Sequence, residues 1–393
     1  MKILLISPQP FYEKRGTPLA VALLARALGE LGHEIDLVSY HLGDHWPLPS
    51  VTHYRALRIP FITSISKGLS TAKLFLDIFV FTKAFNLLRR NKYDLIHGIE
   101  EGAMMGILLK KIFSVPLVYD MDSSIPEQIR DSNARFCGCL PLLALAEKLE
   151  KWTIRNSDLV LAVCEALRER VVLVHPDTPV AVLEDIPVVE KAPPGLDADV
   201  RRIRTELELE EDLPCVVYTG TFESYQGINL LLDSIKPVVA QRPETVFILV
   251  GGQPDQLPDI IHEATQRGIS RYLRILGRRP LEEMPAFMAM ADVLVSPRML
   301  GSNTPMKLYA YLQSGRPVVA TRLPTHTQVL NDRVAVLAEA HPAALASAIV
   351  GLLDNPALRE RIGQAGARLI ETAFTYDKFK SKLEKAYSQI RPC

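Results

Sequence analysis

The chain has 393 residues, which at ~100–200 residues per domain implies about two or three domains. Apolar residues make up 48% and charged residues 23%, the balance of a globular protein with core enough to need neither disulfides nor a structural metal. Lys plus Arg equals Asp plus Glu at 45 each, which excludes a dedicated nucleic-acid binder with its basic excess.

Apolar runs bounded by turns alternate with helical patterns from the first residues onward. The run at 2–6 is too short for a signal peptide or a membrane span and predicts a buried first strand. A helix follows over 18–31, stopped by Gly32, and then a strand over 34–39. The next strand–helix–strand unit reads 94–97, 102–113 and 116–119; a polar helix around 147–154 leads to a strand over 159–163. Such alternation implies parallel strands covered on both faces. The stretch 184–200, EDIPVVEKAPPGLDADV, breaks the pattern with three prolines and a glycine and predicts an interdomain linker. Strands are then expected over 215–218, 246–250, 273–276, 293–296 and 318–321, with helices over 227–240, 259–267, 281–290 and 304–314. The expected architecture is α/β, with two Rossmann-like domains whose parallel sheets face a cleft: an N-terminal domain over 1–185, a linker over 186–200 and a C-terminal domain over 201–374. The polar helix ending the chain, 375–393, either decorates the second domain or crosses back to the first.

The five cysteines are odd in number, and only Cys137 and Cys139 lie close together, so free thiols in a reducing, cytoplasmic compartment are expected and no zinc site. The segment 66–92, SKGLSTAKLFLDIFVFTKAFNLLRRNK, carries six Lys or Arg beside a strongly apolar face. It is either a buried helix with solvated ends or a peripheral contact with the inner face of a membrane. The apolar patch from Cys137 to Leu143 is open to the same two readings.

Three places offer chemistry. After the first strand, Gly16 precedes a helix opened by Thr17 and Pro18, whose free N–H groups suit an anion or a sugar hydroxyl. After the first strand of the second half, Gly220-Thr221-Phe222-Glu223-Ser224-Tyr225-Gln226-Gly227 is a glycine-framed turn into a helix, a natural phosphate cradle that is neither GxGxxG nor a Walker loop. The third, SPRMLGSNTPMKLYAYLQSGRPVVAT, ends a strand at Ser296-Pro297-Arg298 and opens a helix near Thr304. Lys307 falls in that helix's first turn, against the helix dipole, which marks Lys307 and Arg298 as candidates for neutralising a diphosphate. In the first half, His97, Glu100 and Glu101 sit beyond one strand and Asp122 beyond another; each is read either as a ligand or base or as a packed or capping residue.

Taken together, these segments resemble the retaining GT-B glycosyltransferases of family four, also called group 1. The resemblance runs through GHEIDLVSY, YDLIHGIEEGAMMG, VVYTGTFESYQGINLLLDSI and, most specifically, SNTPMKLYAYLQSGRPVVAT. It implies a nucleotide-sugar donor, UDP-sugar favoured, in the C-terminal domain, and a glycan or lipid-linked acceptor on the N-terminal domain, with no required cofactor or metal. Asp122, Arg298 and Lys307 are the implied catalytic set. Gly220, Thr221, Gln226, Arg278, Ser302, Asn303, Thr304, Ala310, Thr325 and His326 are the implied donor side; Gly16, Thr17, His97, Glu100 and Glu101 are the implied acceptor side. The chain departs from the family pattern where it counts. Thr221 and Gln226 stand where the family has a phosphate-binding Arg and Lys, Ser302 and Ala310 where it has two glutamates, and Asp122 near the place of a His. Two readings stay open beside a divergent enzyme: a degenerate GT-B protein that binds a nucleotide or carbohydrate, and a hydrolysing sugar-nucleotide epimerase.

Overall fold

The computed structural model of the chain describes residues 1–13, 16–44, 46–63, 65, 71–131, 140–189 and 191–390. They form two units, Met1–Asp185 with Tyr376–Cys393, and Ile186–Thr375.

The first unit runs β1 (Lys2–Ser7), α1 (Gly16–Glu30), β2 (Glu34–Ser39), β3 (Val51–Arg55), α2 (Thr71–Arg90), β4 (Leu95–Ile99), α3 (Glu101–Phe113), β5 (Leu117–Met121), α4 (Ile125–Asp131), α5 (Leu140–Asn156), β6 (Leu159–Ala162), α6 (Glu165–Val174) and β7 (Val180–Val182). Its sheet is parallel in the order β3-β2-β1-β4-β5-β6-β7. Strands β1, β4 and β6 are buried almost end to end, which is why their sequences read as unbroken apolar runs. Helices α2 and α3 cover the same side of the sheet, packing Leu76, Val80 and Ile107 against Leu4, Ile6 and Ile96.

The second unit runs α7 (Leu196–Glu206), β8 (Cys215–Gly220), α8 (Ile228–Val239), β9 (Val246–Gly251), α9 (Leu257–Gln266), β10 (Leu273–Gly277), α10 (Met284–Ala289), β11 (Val293–Ser296), α11 (Lys307–Gln313), β12 (Val318–Thr321), α12 (Pro324–Thr327), β13 (Val336–Ala338), α13 (Pro342–Leu353) and α14 (Pro356–Ala373). Its parallel sheet has the order β10-β9-β8-β11-β12-β13. Successive strand residues alternate between two cores. Val217, Ile248 and Leu294 point into one; Val216, Phe247 and Val293 point into the other. Neither face is left to solvent, so no polar alternation survives in the sequence.

The last helix, α15 (Tyr376–Tyr387), belongs to the first unit. Arg26 of α1 lies 4.9 Å from the centre of the Tyr376 ring, and Tyr387 reaches His97 at 2.5 Å.

Two segments differ from the sequence expectation. The stretch read as linker already contains the start of α7, which Gly195 opens in a left-handed conformation (φ 83°). The helix expected from Thr304 begins at Lys307 instead. Asn303's carbonyl accepts from both Arg298 and Thr325, which holds the chain out of helical geometry until Met306.

Candidate active site

In the second unit, two loops meet at the carboxyl ends of β8 and β11. Gly220 ends β8 at φ 144°; a Cβ there would lie 3.0 Å from the Tyr218 hydroxyl and 3.4 Å from Lys307 Nζ. Gly227 closes the loop at φ 74°, and a Cβ there would lie 1.9 Å from the Pro297 carbonyl oxygen. Only glycine permits this approach. Met299 N–H then donates to the Tyr225 carbonyl at 2.8 Å, so the 220–227 and 297–304 loops are joined backbone to backbone.

Arg298 is 6% exposed and works within its own loop. Its guanidinium donates to Leu300 O at 2.7 Å, Asn303 O at 3.2 Å and Asn303 Oδ1 at 2.8 Å, and stands 5.3 Å from the Tyr225 ring centre. Lys307 faces the Gly220 turn. Its ammonium lies 3.9 Å from the Tyr218 ring centre and donates to Gln226 Oε1 at 3.2 Å. Burial, and next the nearby Arg298 charge, hold its pKa well below the usual lysine value. Thr304, also buried, has a hydroxyl oxygen without a hydrogen-bond partner among the described residues. Such a group costs about 1–3 kcal/mol when left unmet.

Behind the loop, His326 is fully buried and both ring nitrogens are bonded. Nε2 meets Ser296 Oγ at 2.9 Å, and Nδ1 meets Thr321 O at 2.8 Å. Burial lowers its pKa to about 4, so the ring is neutral, and it ties the end of β11 to the end of β12. Thr325 Oγ1 donates to Asn303 O at 2.6 Å and Gln328 Nε2 to Ser302 O at 2.7 Å.

In the first unit, a carboxylate cluster sits at the ends of β4 and β5. Asp122 accepts a hydrogen bond from Thr17 in the first turn of α1. Its pKa is pushed well above the carboxylate range by burial and then by the charges of Asp120, Glu100 and Asp185. Glu100 is pushed to about 7 by burial and by Glu101, although Ser123 Oγ donates to it at 2.6 Å. Asp185 rises to about 7 through burial and Asp120. Glu101 is paired with Lys73. His97 is fully buried, bonding Tyr387 through Nδ1 and Asp120 Oδ2 through Nε2 at 3.1 Å.

Two family models match the chain, "Glycosyltransferase Family 4" over residues 15–184 and "Glycosyl transferases group 1" over residues 214–355. The chain belongs to this glycosyltransferase family. A D-inositol 3-phosphate glycosyltransferase of Corynebacterium glutamicum is 27% identical over 82% of the chain and 79% of the relative. A phosphatidyl-myo-inositol mannosyltransferase of Mycobacterium tuberculosis is 24% identical over 99% of the chain and 97% of the relative. Among solved structures, sucrose-phosphate synthase from Thermosynechococcus elongatus superposes with a TM-score of 0.79 at 21% identity, covering 99% of this chain and 98% of that one. Anabaena HepE in complex with UDP-glucose superposes with a TM-score of 0.75 at 17% identity, covering 99% and 100%. The two parallel sheets with their helices are the GT-B fold of these neighbours.

The geometry of this glycosyltransferase sorts the residues singled out from sequence. Gly220, Gln226, Arg298, Asn303, Thr304 and Lys307 converge. Thr221 lends its carbonyl to the Tyr218 hydroxyl at 2.7 Å. Thr325 and His326, expected as donor ligands, are buried and bond the loop from behind through their side chains. Ser302 serves the same loop through its carbonyl, and Ala310 packs against the core. Arg278 stands apart, exposed beyond β10, with β9 between that strand and β8. On the acceptor side, Thr17, Glu100 and Asp122 come together, while Gly16 opens α1 at φ 21° and makes no close approach. His97 is buried against Tyr387, and Glu101 is paired with Lys73.

Sequence reading missed Tyr218, Asp185 and Tyr387. Tyr218 is hidden in a strand's apolar run, and Asp185 sits at the edge of the linker. Tyr387 is 290 residues from the histidine it holds. Among the described residues, no cluster of metal-ligating side chains has the geometry to hold an ion. Cys164 and Cys215 are free and buried, whereas Cys137 and Cys139 lie outside the described residues.

Proposed function

We propose that this glycosyltransferase moves a sugar from a nucleoside-diphosphate sugar, with UDP the favoured nucleotide, to a hydroxyl of a glycan or lipid-linked acceptor, with retention and without a required metal. The observation that carries the reading is Lys307, a cation held against a glycine turn with a neutral amide as its hydrogen-bond acceptor and a second cation beside it. A diphosphate supplies the missing negative charge. As the sugar–phosphate bond breaks, charge grows on the phosphate oxygens, and Lys307, the Thr304 hydroxyl and backbone N–H groups of the 221–225 segment stabilise it. Arg298 acts as a positioning residue, fixing the loop while adding its charge to the local field.

On the acceptor side, Asp122 takes the hydroxyl proton, and Thr17 orients its carboxylate. Burial and neighbouring carboxylates raise the basicity of Asp122, which suits a proton acceptor. HepE is solved with UDP-glucose, which favours UDP. The inositol-directed relatives make inositol 3-phosphate and phosphatidylinositol the first acceptors to try.

Ser302 and Ala310 supply no carboxylate for nucleotide or sugar hydroxyls, so the donor is held mainly through its diphosphate and binds weakly as a free nucleoside. The test is product formation from UDP-, GDP-, ADP- and dTDP-sugars with these acceptors, with and without a chelator. Transfer from one donor that survives chelation, with the anomeric configuration kept, supports the proposal. Nucleotide binding without transfer supports the degenerate reading, and release of free sugar alone supports an epimerase-type hydrolysis.

A further inference from the structure

Three neighbouring helices of the first unit carry an outward apolar band that the glycosyl-transfer chemistry leaves unused. On α2, Leu74 and Ile78 are 62% and 59% exposed and Phe75 lies beside them. On α3, Leu108 and Ile112 are exposed, the latter at 57%; on α5, Leu145 and Leu149 are, the former at 53%. Each pair is spaced i, i+4, so each helix presents one stripe.

Side-chain contacts fix how the stripes align. Lys73 pairs with Glu101 and Phe85 meets Phe113 at 5.4 Å between ring centres, so α2 and α3 run level. Lys111 stands 5.5 Å from the Trp152 ring centre, so α5 runs level with α3 on its other side. Ile78, Leu108 and Leu149 therefore lie at nearly the same height across three adjacent helices, and the stripes join into one patch.

The net charge around the patch is positive. These helices hold four, two and three Lys or Arg, nine in all, against four carboxylates, in a chain that is neutral as a whole. Every one of the four carboxylates is engaged: Asp77 with Tyr40, Glu101 with Lys73, Glu147 with Arg130, Glu150 with Arg170. Arg89, Arg90, Lys111, Lys148, Lys151 and Arg155 are exposed. Protein interfaces tend to exclude lysine from their apolar centres, whereas a bilayer surface takes leucines at the acyl boundary and lysines among anionic headgroups. No helix among the described residues is long and apolar enough to cross a membrane, so contact through this face is peripheral.

We infer that the α2–α3–α5 face docks this protein on an anionic lipid bilayer. The inference does not depend on the donor or the acceptor assignment. The test is co-sedimentation of the full chain with vesicles of phosphatidylcholine alone and of an equimolar mixture with phosphatidylglycerol, at low and high salt. Binding to the mixed vesicles that weakens with salt is expected. Lys148→Ala/Lys151→Ala should lower partitioning about 25-fold, at about fivefold per cation. Ile78→Glu/Leu108→Glu should abolish it while leaving the melting temperature and the circular dichroism unchanged, since both side chains are exposed. Three results each overturn the inference: no binding to mixed vesicles at low salt, binding that Ile78→Glu/Leu108→Glu leaves intact, or a dimer in vesicle-free solution that the same pair dissociates. The last would assign the face to a second copy of the chain.

Discussion

Replacing Lys307 with Met keeps most of the side chain's volume and removes its charge, which separates the two roles of that residue. In the free protein the ammonium is disfavoured by burial and by Arg298, so its folded pKa lies below its unfolded one. The penalty is absent above the unfolded pKa near 10.5, grows as pH falls, and is complete below the folded pKa. Removing the charge at neutral pH should therefore leave the ligand-free melting temperature unchanged or higher, despite the lost contacts with Gln226 and Tyr218. With nucleotide present the sign reverses. A hydrogen bond to a charged group is worth about 1.5–3 kcal/mol, so the dissociation constant should rise roughly 10- to 100-fold. At a ligand concentration ~100 times the wild-type dissociation constant, binding adds ~2.7 kcal/mol to the wild type and, at the upper end, only ~0.4 kcal/mol to the variant. At about 2–4 °C per kcal/mol, a rise of roughly 5–11 °C shrinks to roughly 1–2 °C. Differential scanning fluorimetry with UDP and UDP-glucose reads both effects in one plate. A variant that melts earlier without ligand and keeps the full nucleotide rise would refute the reasoning, because Lys307 would then be a structural cation.

Asp122→Asn should abolish transfer without loss of nucleotide binding, and Asp185→Asn should shift the acidic limb of the pH–rate profile downward, since removing a like charge lowers the pKa of Asp122. Glu100 and Asp185 both titrate near 7 in the folded state, above their unfolded values, so the first unit should lose stability as pH rises from about 4 through 7, and Glu100→Gln should flatten that slope in denaturant titrations. His326 has the opposite kind of shift, from 6.5 to about 4. The unfolded chain takes up the proton first, so the second unit should lose about 3 kcal/mol between pH 6.5 and 4, a loss that His326→Gln removes in an acid melt. Gly227→Ala places a Cβ 1.9 Å from the Pro297 carbonyl at a positive φ, and should cost about 1–3 kcal/mol and weaken nucleotide binding by displacing the 297–304 loop, as isothermal titration would register.

The parts of the fold legible in the sequence were those governed by local rules. Buried strands such as β8 and β11 announce themselves because both faces are covered, and glycines mark the turns at 220 and 227 because backbone passes too close there for a Cβ. What stayed hidden is pairwise and distant. The small polar set at 325–328 looks like a binding surface in one dimension; only its bonds to the 296–303 segment reveal that it holds the loop from behind. His97 gave no hint of its partner, because Tyr387 lies on the last helix and joins the first unit only through tertiary packing. β3, VTHYR, carries no apolar run, and β7 and β13 are only three residues long.

The same contrast bears on how the proposed donor pocket, which lacks the family's Arg, Lys and glutamates, would hold a diphosphate. Thr221 and Gln226 appear in sequence as losses. In space, Gln226 offers its carbonyl oxygen to Lys307, which approaches the glycine turn from α11, and Arg298 braces the loop that leads to that helix. The positive charge facing the turn is thus supplied by a different strand–helix unit of the same sheet. The late start of α11 makes this possible. Had the helix begun at Thr304, Lys307 would lie nearly one turn inside it; as it is, Lys307 is the helix's first residue. Burial and the Arg298 charge make the ammonium unfavourable there without a ligand, and a bound phosphate would reverse that sign, so the cost in the free protein and the gain expected with ligand arise from one arrangement.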